Sequence, residues 1–320
     1  MRVYIARRLL LFIPTLLGVS TLIFFLIRIV PGDVAILALA GPGGDVRQID
    51  PVSLKALREQ MGVDKPLLVQ YVDWLWTVVR LDMGRSFTQD QPVVSIIWQR
   101  LPITAELAIL ASLLTALMGI PTGVLAALYR GTWIDYTSRV VAIAGVAMPT
   151  FWIGLVIIVA LLWLFKWFPP LGYVSFFHDP WVNIQQVIWP ALALGYYHMA
   201  VVSRMTRGTM LEVIRQDYVR TARAKGLADF MVITRHTLRN ALLPIVTIMG
   251  IQFGVMMGGA VIMESIFLLP GLGRTLFLAI TMRDYPLLQG IVMFLSVSYL
   301  AINLAVDLLY AWLDPRIRYS

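Results

Sequence analysis

Few side chains in this sequence are of types and at spacings that could do chemistry. There is no cysteine, which excludes disulfides, thiolate metal sites and cysteine nucleophiles. The three histidines, His178, His198 and His236, do not stand at a metal-binding spacing. No GxxxxGK[ST], GxSxG or HExxH motif occurs. We therefore expect no catalytic residue, no metal site and no cofactor in this chain.

Polar residues inside apolar segments are the next candidates, because ionisable groups within membrane spans mark ion and substrate pathways. Glu264 stands near the outer end of a predicted span, which favours a helix-end role, and Asp307 stands toward an inner end. His198, beside Tyr197, suits a hydrogen-bonded structural histidine. For Gln252, well inside a span, helix packing and pathway lining both remain open. We take Gln252, Tyr197 and Glu264 as possible pathway residues.

The most distinctive spacing is in the basic segment QDYVRTARAKGLADF, residues 216–230. Asp217 can cap the start of a helix there, and Gly226 fits its end. Ala222 and Gly226 are four residues apart and would share one face, forming a smooth stripe flanked by cations. The residues that we assign to this predicted docking surface are Asp217, Arg220, Thr221, Ala222, Arg223, Ala224, Lys225, Gly226 and Leu227.

Two interpretations of this segment compete, an orientation signal and a docking surface. Asp229 would begin a second short helix, DFMVITRHTLRN, with Phe230, Ile233, Thr237 and Leu238 largely on one side. An orientation signal needs only the arginines, and not the small stripe, the glycine or the second helix. The pattern therefore favours docking of a partner.

The elements that must position these residues are membrane helices. The 320-residue chain is 59% hydrophobic and 14% charged, where soluble domains are nearer half apolar and a quarter charged. Its mean hydropathy is +0.79. The net charge of +8 comes from arginines that flank apolar runs, which indicates contact with a lipid bilayer rather than with nucleic acid. The first apolar run, Leu9 to Val30, is too long for a signal peptide.

We predict an all-α integral membrane protein with six transmembrane helices. The predicted spans are residues 9–30, 102–128, 138–165, 187–206, 241–268 and 288–312. The predicted domains are an N-terminal tail with span 1 (1–30), an extracytoplasmic helical loop (31–101) and a core with spans 2–6 (102–320) that includes a cytoplasmic loop, 207–240. Arginine and lysine concentrate in the pieces that are cytoplasmic if the N-terminus is inside, so both termini are predicted to be cytoplasmic.

Two segments are predicted on the outer side. PVSLKALREQMGV and PLLVQYVDWLWTVVRL have apolar residues at helical spacing and predict a helical cap between spans 1 and 2. Pro270, Gly271 and Gly273 predict a turn after span 5, which we assign as an outer gate. The apolar stretch Leu276 to Ile280 is too short to cross a bilayer and should re-enter it or lie on its surface.

At the basic segment the sequence resembles a known family. DYVRTARAKGL followed by HTLRNALLPIVT is similar to the cytoplasmic EAA motif of ABC-transporter permeases, in the version of the dipeptide, oligopeptide, glutathione and nickel importers. The N-terminal RRLLLFIPTLLGVSTLIFFLIRIVPGD, the outer ESIFLLPGLGRTL and MRDYPLLQG, and the C-terminal LDPRIRY resemble the same family in the same order. The resemblance covers nearly the whole chain and is closest to the first of the two permeases of such importers.

The sequence departs from the family pattern in three places, one of which is the later proline of the motif: it falls at Pro244, some residues further along than in sugar permeases. Arg220, Thr221 and Ala222 stand where the general motif has Glu-Ala-Ala, so the resemblance does not support the contact that its glutamate makes in other branches. The outer loop begins PGDVAIL, where the branch often has proline after the aspartate.

The resemblance implies a permease subunit of an ATP-driven importer in a bacterial or archaeal cytoplasmic membrane. It implies a second homologous permease, two ATPase subunits that bind ATP and Mg²⁺, and an extracytoplasmic substrate-binding protein. The helix around 217–228 would then couple the chain to an ATPase. Di- or oligopeptides are the first expectation for the substrate, with glutathione or a nickel chelate as alternatives. A stand-alone secondary transporter and a structural scaffold are the other hypotheses.

Overall fold

The computed structural model describes residues 2–29, 36, 50–52, 54–55, 58 and 64–313, and helices make up most of this part. The helices are, in chain order, α1 (Arg2–Ile29), α2 (Leu67–Val79), α3 (Val93–Leu128), α4 (Trp133–Ala147), α5 (Thr150–Phe165), α6 (Pro180–Ile214), α7 (Asp217–Ala224), α8 (Asp229–Met231), α9 (Arg239–Ile266), α10 (Leu272–Thr281) and α11 (Tyr285–Leu313). A π-helical segment, Val232–Leu238, joins α8 to α9. The prediction of a helical protein is confirmed.

Three stretches of helix are long and apolar enough to cross a bilayer, namely Val93–Leu128, Asp229–Gly258 and Tyr285–Leu309. The bent pair α4 and α5 would be a fourth. The first predicted span contains the apolar stretch Leu10–Phe25 of α1, and the fourth lies inside α6. The protein is therefore a multi-pass membrane protein by the length and composition of its helices.

The third predicted span, 138–165, is not one straight helix. The chain breaks at Met148 and Pro149, and the axes of α4 and α5 differ in direction by 105°. Proline has no N–H to continue a helix, and its ring forces the preceding residue into an extended conformation, which Met148 adopts with φ −91° and ψ 129°. Pro149 therefore ends α4 and divides the predicted span into two helices.

The described chain forms two compact units. One contains Thr104–Leu269 and the described part of Ala301–Ser320, and the other contains the described part of Arg2–Ile103 with Pro270–Leu300. In the first unit α3 and α6 pack closely, because a Cβ on Gly123 would lie 2.5 Å from the backbone oxygen of Ser203. The core of this unit is built from Ala127, Val202, Met210, Ala241 and Ile245.

The second unit is held by the start of α3, by α10 and by the start of α11. Its core residues are Val93, Ile96, Ile97, Leu272, Ala279, Leu287 and Ile291. The stretch around Leu276 to Ile280 forms the short helix α10, which packs on this core. Of the two predicted cap segments, the second forms α2, while most of the first, residues 51–63, lies outside the described residues. The C-terminal segment 314–320 also lies outside them.

Candidate functional site

The helix of the basic segment, α7, begins and ends through backbone geometry. Gln216 precedes the first turn and makes no side-chain cap, so Asp217 is the first helical residue and not the cap that the sequence predicted. Its carboxylate still favours the positive end of the helix. At the other end Gly226 has φ +76°, its N–H bonds the Arg223 oxygen at 2.9 Å, and the Leu227 N–H reaches the Ala222 oxygen at 3.4 Å. This pair of bonds is a Schellman motif, which confirms Gly226 as the helix terminator.

The segment 213–232 has a small apolar core of its own. Val219, Ala222 and Val232 are buried together, and Val213 packs against them. We predicted that Ala222 and Gly226 form an accessible stripe, and this is wrong for Ala222, which is only 6% exposed. Helical spacing placed the two residues on one face, but it did not show that this face turns inward onto Val232. Gly226 remains open, with no atom near the position of an added Cβ.

The charged side chains of the segment point outward. The carboxylate of Asp217 lies 3.8 Å from Arg220, and both side chains are more than three-quarters exposed, so this ion pair contributes little to stability. Arg223 Nε donates to Asp229 Oδ1 at 3.2 Å and links α7 to the start of α8. Lys225 makes no ion pair with any described residue and remains exposed. Thr221 is also exposed, and its hydroxyl donates to the backbone oxygen of Asp217 at 2.9 Å.

Large apolar side chains are exposed on the same segment, and the sequence did not predict all of them. Phe230 is 78% exposed, although its spacing placed it with Ile233 and Thr237 on one face. Tyr218, Leu227 and Met231 are exposed as well. Exposed apolar side chains beside cations are typical of a protein-binding surface. Residues two apart face nearly opposite sides of a helix, so the exposure of Phe230 accompanies the burial of Val232.

The segment continues into the long helix α9 without a loop. The residues Val232–Leu238 form a π-helical segment, in which the buried Thr237 hydroxyl donates to the Val232 oxygen at 3.1 Å. π-helical turns are rare and occur often at functional sites. Asp229 begins this run of helix, as the sequence predicted. A displacement of the segment would therefore be passed directly to α9.

The predicted outer turn lies where the sequence placed it. Gly271 precedes α10, Gly273 is buried in its first turn, and the Pro270 oxygen accepts a bond from Arg100 at 3.4 Å. The residue in the left-handed conformation is Leu268, with φ +58°, and not one of the glycines. A gating role for this turn stays a prediction.

Asp284 is a buried structural residue that sequence reasoning missed. Its buried carboxylate accepts bonds from the Ser86 hydroxyl at 2.5 Å and from both the N–H and the hydroxyl of Thr88, at 3.0 and 2.8 Å. It also accepts from the Leu287 N–H at the start of α11. Asp284 thereby fixes the loop 84–90 to this helix end. Because the partners are almost two hundred residues away in the chain, no local pattern could reveal them.

Two of the three possible pathway residues lie around His198. The rings of Tyr197 and His198 meet edge to face at 5.2 Å, and the side chain of Gln252 interacts with the buried His198. Glu264 makes a different contact: it is fully buried and accepts a bond from the Thr104 hydroxyl at 2.7 Å. We expected a helix-end role for Glu264, and it does lie in the last turn of α9, where its complete burial matches a specific polar contact.

A second carboxylate of the same unit, Glu106, is paired with a tyrosine. The Tyr173 hydroxyl, in the segment between α5 and α6, donates to Glu106 at 2.5 Å. Burial, and then the neighbouring carboxylate, raise the pKa of Tyr173 far above its usual value. The tyrosine therefore stays protonated and keeps donating. Within the described residues no group of three or more His, Asp or Glu side chains could hold a metal ion.

Comparison with known proteins identifies the family. The model for the binding-protein-dependent transport system inner membrane component matches residues 119–319, and the model for the N-terminal part of the same membrane components matches residues 1–108. The chain belongs to this permease family. It is a permease subunit of an ABC importer, and the resemblance seen in the sequence is confirmed.

Curated relatives match the permease over its whole length. A protein of Brucella abortus, named for a peptide transport system permease, is 42% identical over 100% of both chains. The dipeptide transport system permease protein DppB of Alkalihalophilus pseudofirmus is 38% identical over 100% of both. The glutathione transport system permease protein GsiC of Escherichia coli is 39% identical over 99% of both.

Solved structures share the fold of the permease. An inward-facing methionine ABC transporter, MetNI, matches with a TM-score of 0.56 and 15% identity, covering 68% of this chain and 96% of that one. An amino acid ABC transporter matches with a TM-score of 0.52 and 17% identity, covering 70% and 94%. At such identities the likeness concerns the fold alone.

Proposed function

We propose that this permease forms half of the pathway for di- or oligopeptides in an ATP-driven importer, and that the segment 213–232 couples it to an ATPase. The observation that carries the coupling is that this segment is folded on its own core while exposing Phe230, Met231 and the charged Arg220. The peptide assignment follows the names of the Brucella and Alkalihalophilus relatives, and glutathione, after the Escherichia relative, is the second candidate. A nickel chelate is the remaining alternative within the branch.

Coupling in this proposal is mechanical. The exposed residues of α7 and α8 sit in a groove on an ATPase, and ATP with Mg²⁺ is bound there and not in this chain. When the ATPase pair closes, α7 moves as a rigid body and draws α8, the π-helical segment and α9 with it. The pathway then alternates between inward and outward access. Gln252, Tyr197 and Glu264 are the residues that we assign to its wall, and Pro270, Gly271 and Gly273 to its outer gate.

The assembly and topology belong to the same proposal. The chain crosses the cytoplasmic membrane of a bacterium or archaeon six times with both termini inside, and residues 31–101 form the outer cap. A second homologous permease completes the pathway, two ATPase subunits lie below, and an extracytoplasmic binding protein delivers the substrate. The arginine and lysine distribution supports this orientation.

The test is co-purification of ATPase activity with the tagged permease from detergent extracts. We expect Phe230→Ala and Arg220→Glu to lose most of the activity that accompanies the wild type, because both side chains are exposed and neither holds the fold. Phe177→Ala is the matched control, since Phe177 is 97% exposed in a segment predicted to lie outside. Gly226→Trp is less informative, because at φ +76° any side chain strains the backbone.

The outcomes separate the hypotheses. Loss in Phe230→Ala and Arg220→Glu, with unchanged elution of the folded permease, supports coupling through this segment. If these variants retain all the activity of Phe177→Ala, the docking surface lies elsewhere. If the wild type itself carries no ATPase and transports in liposomes without ATP, the chain works alone as a secondary transporter.

A further inference from the structure

A cavity of about 710 Å³ lies between α4 and α6, with Ala126 of α3 on its wall. The residues named above for coupling and for the pathway do not line it. Its walls carry three arginines, namely Arg139, Arg204 and Arg207, together with aliphatic side chains. A pocket with both kinds of wall suits a ligand that has both an anionic group and an apolar part.

The two helices around the cavity run antiparallel, so its charged and aliphatic residues lie at opposite ends. At one end Arg207 of α6 pairs with Asp135 in the first turn of α4, at 2.8 Å from Nε to Oδ1. At the other end Gly145 lies against Tyr196 and Ala200 of α6. The arginines therefore share one end of the cavity, and the aliphatic residues share the other.

The basic end keeps a net positive charge. The carboxylate of Asp135 accepts two bonds from Arg207, so these two charges cancel. Arg139 and Arg204 are exposed and make no ion pair closer than 4 Å with any described residue. Ser138 adds a hydroxyl to the same wall. Two guanidinium groups with free donors beside a hydroxyl suit a phosphate or another anion.

The aliphatic end continues onto exposed surface. It is lined by Ala142, Ile143, Val146 and Ala147 of α4. Ile143 is 64% exposed and Val146 is 43% exposed. From Arg139 to Val146 the helix rises about 10 Å, which is enough for a headgroup followed by the first part of an acyl chain.

We propose that this cavity binds an anionic phospholipid, with its phosphate at Arg139 and Arg204 and an acyl chain along Ile143 and Val146. Basic pockets between membrane helices bind acidic headgroups in this way. Free phosphate would leave the aliphatic end of the cavity unfilled, and a lipid without net charge would not balance the charge of the two arginines. The inference requires a membrane protein but no ATPase, so it can fail or succeed independently of the proposed function.

The experiment is native mass spectrometry of the full-length permease, delipidated in mild detergent and then titrated with phosphatidylglycerol or phosphatidylcholine. We expect the wild type to retain phosphatidylglycerol preferentially. Arg139→Gln with Arg204→Gln should weaken this binding about tenfold, as expected for the loss of charge-assisted contacts. Arg130→Gln with Arg215→Gln removes two exposed arginines outside the cavity and should change little.

A second variant tests the aliphatic end. Ala142→Trp should lower the binding of phosphatidylglycerol by filling that end, and should leave binding of inorganic phosphate unchanged. Equal binding of the two lipids, or an equal loss in the control pair of arginines, would overturn the proposal. Displacement of phosphatidylglycerol by millimolar inorganic phosphate, without any effect of Ala142→Trp, would show that the site takes free phosphate instead.

Discussion

At the scale of single residues, the end of α7 in the segment 213–232 depends on one glycine. Gly226 holds φ +76°, a conformation that costs other residues about 1–2 kcal/mol, and it lets two backbone N–H groups cap the end of α7. Ala222 has a different task, since it is buried against Val232. A bulky residue at Ala222 would disrupt the core of the segment rather than block its surface.

We expect Gly226→Ala to loosen the end of α7 without changing the rest of the fold. A cost of about 1 kcal/mol corresponds to roughly fivefold faster amide exchange, measured by hydrogen–deuterium exchange over residues 222–228. The exchange rate of Gly226→Asn should lie between those of the wild type and Gly226→Ala, because asparagine tolerates the left-handed conformation better than alanine does. Gly258→Ala is the control, since Gly258 lies inside α9 with open space around it and alanine favours a helix. Equal exchange in all three variants would contradict the role of Gly226.

At the scale of elements, helix junctions decide the geometry. Pro149 turns the chain by 105° between α4 and α5, Gly226 separates α7 from α8, and Asp284 ties the loop 84–90 to the start of α11. Each junction relies on a different physical means, namely a missing N–H, a left-handed backbone and a buried carboxylate.

Asp284→Asn should destabilise the unit that contains α10. The amide nitrogen would face the N–H and hydroxyl of Thr88, and losing these bonds to a buried carboxylate costs about 2 kcal/mol. We expect the midpoint of thermal unfolding in detergent to fall by about 4–8 °C. The matched change Asp90→Asn, at a side chain that is 91% exposed, should leave the midpoint nearly unchanged. A similar midpoint for both variants would mean that Asp284 does not hold the loop.

Features set by residues close together in the chain were predicted from the sequence, and features set by distant residues were not. The helix end at Gly226 and the helix start at Asp229 were predicted, because both depend on neighbouring residues. The burial of Ala222 and the exposure of Phe230 depend on how two helices fold against each other, so helical spacing alone misplaced them. The partners of Asp284 were out of reach because they are distant in the chain.

At the scale of the whole molecule, a permease of this family transports its substrate between membrane helices. Glu264 is a fully buried carboxylate of the kind that a proton-coupled mechanism needs, yet its Thr104 contact also fits a purely structural role. The two roles differ in whether transport responds to a proton gradient.

We expect Glu264→Gln to retain ATP-driven transport. Glutamine keeps a side-chain oxygen that accepts a hydrogen bond from Thr104, but it cannot titrate. The measurement is peptide uptake into liposomes that contain the complete importer, with ATP and with or without a proton gradient. Thr104→Val, which removes the other partner, is the companion variant. Loss of uptake in Glu264→Gln but not in Thr104→Val would indicate that the carboxylate has a proton-transfer role.

If the segment 213–232 docks on an ATPase as proposed, its separate core has a consequence for organisms that have several importers of this kind. Since Val219, Ala222 and Val232 form the core of the segment, substitutions of its outward residues should leave its fold intact. Substitution of these outward residues alone would then be enough to keep the permease of one importer from binding the ATPase of another. Grafting these outward residues onto a related permease should change the ATPase that it binds and leave its substrate unchanged.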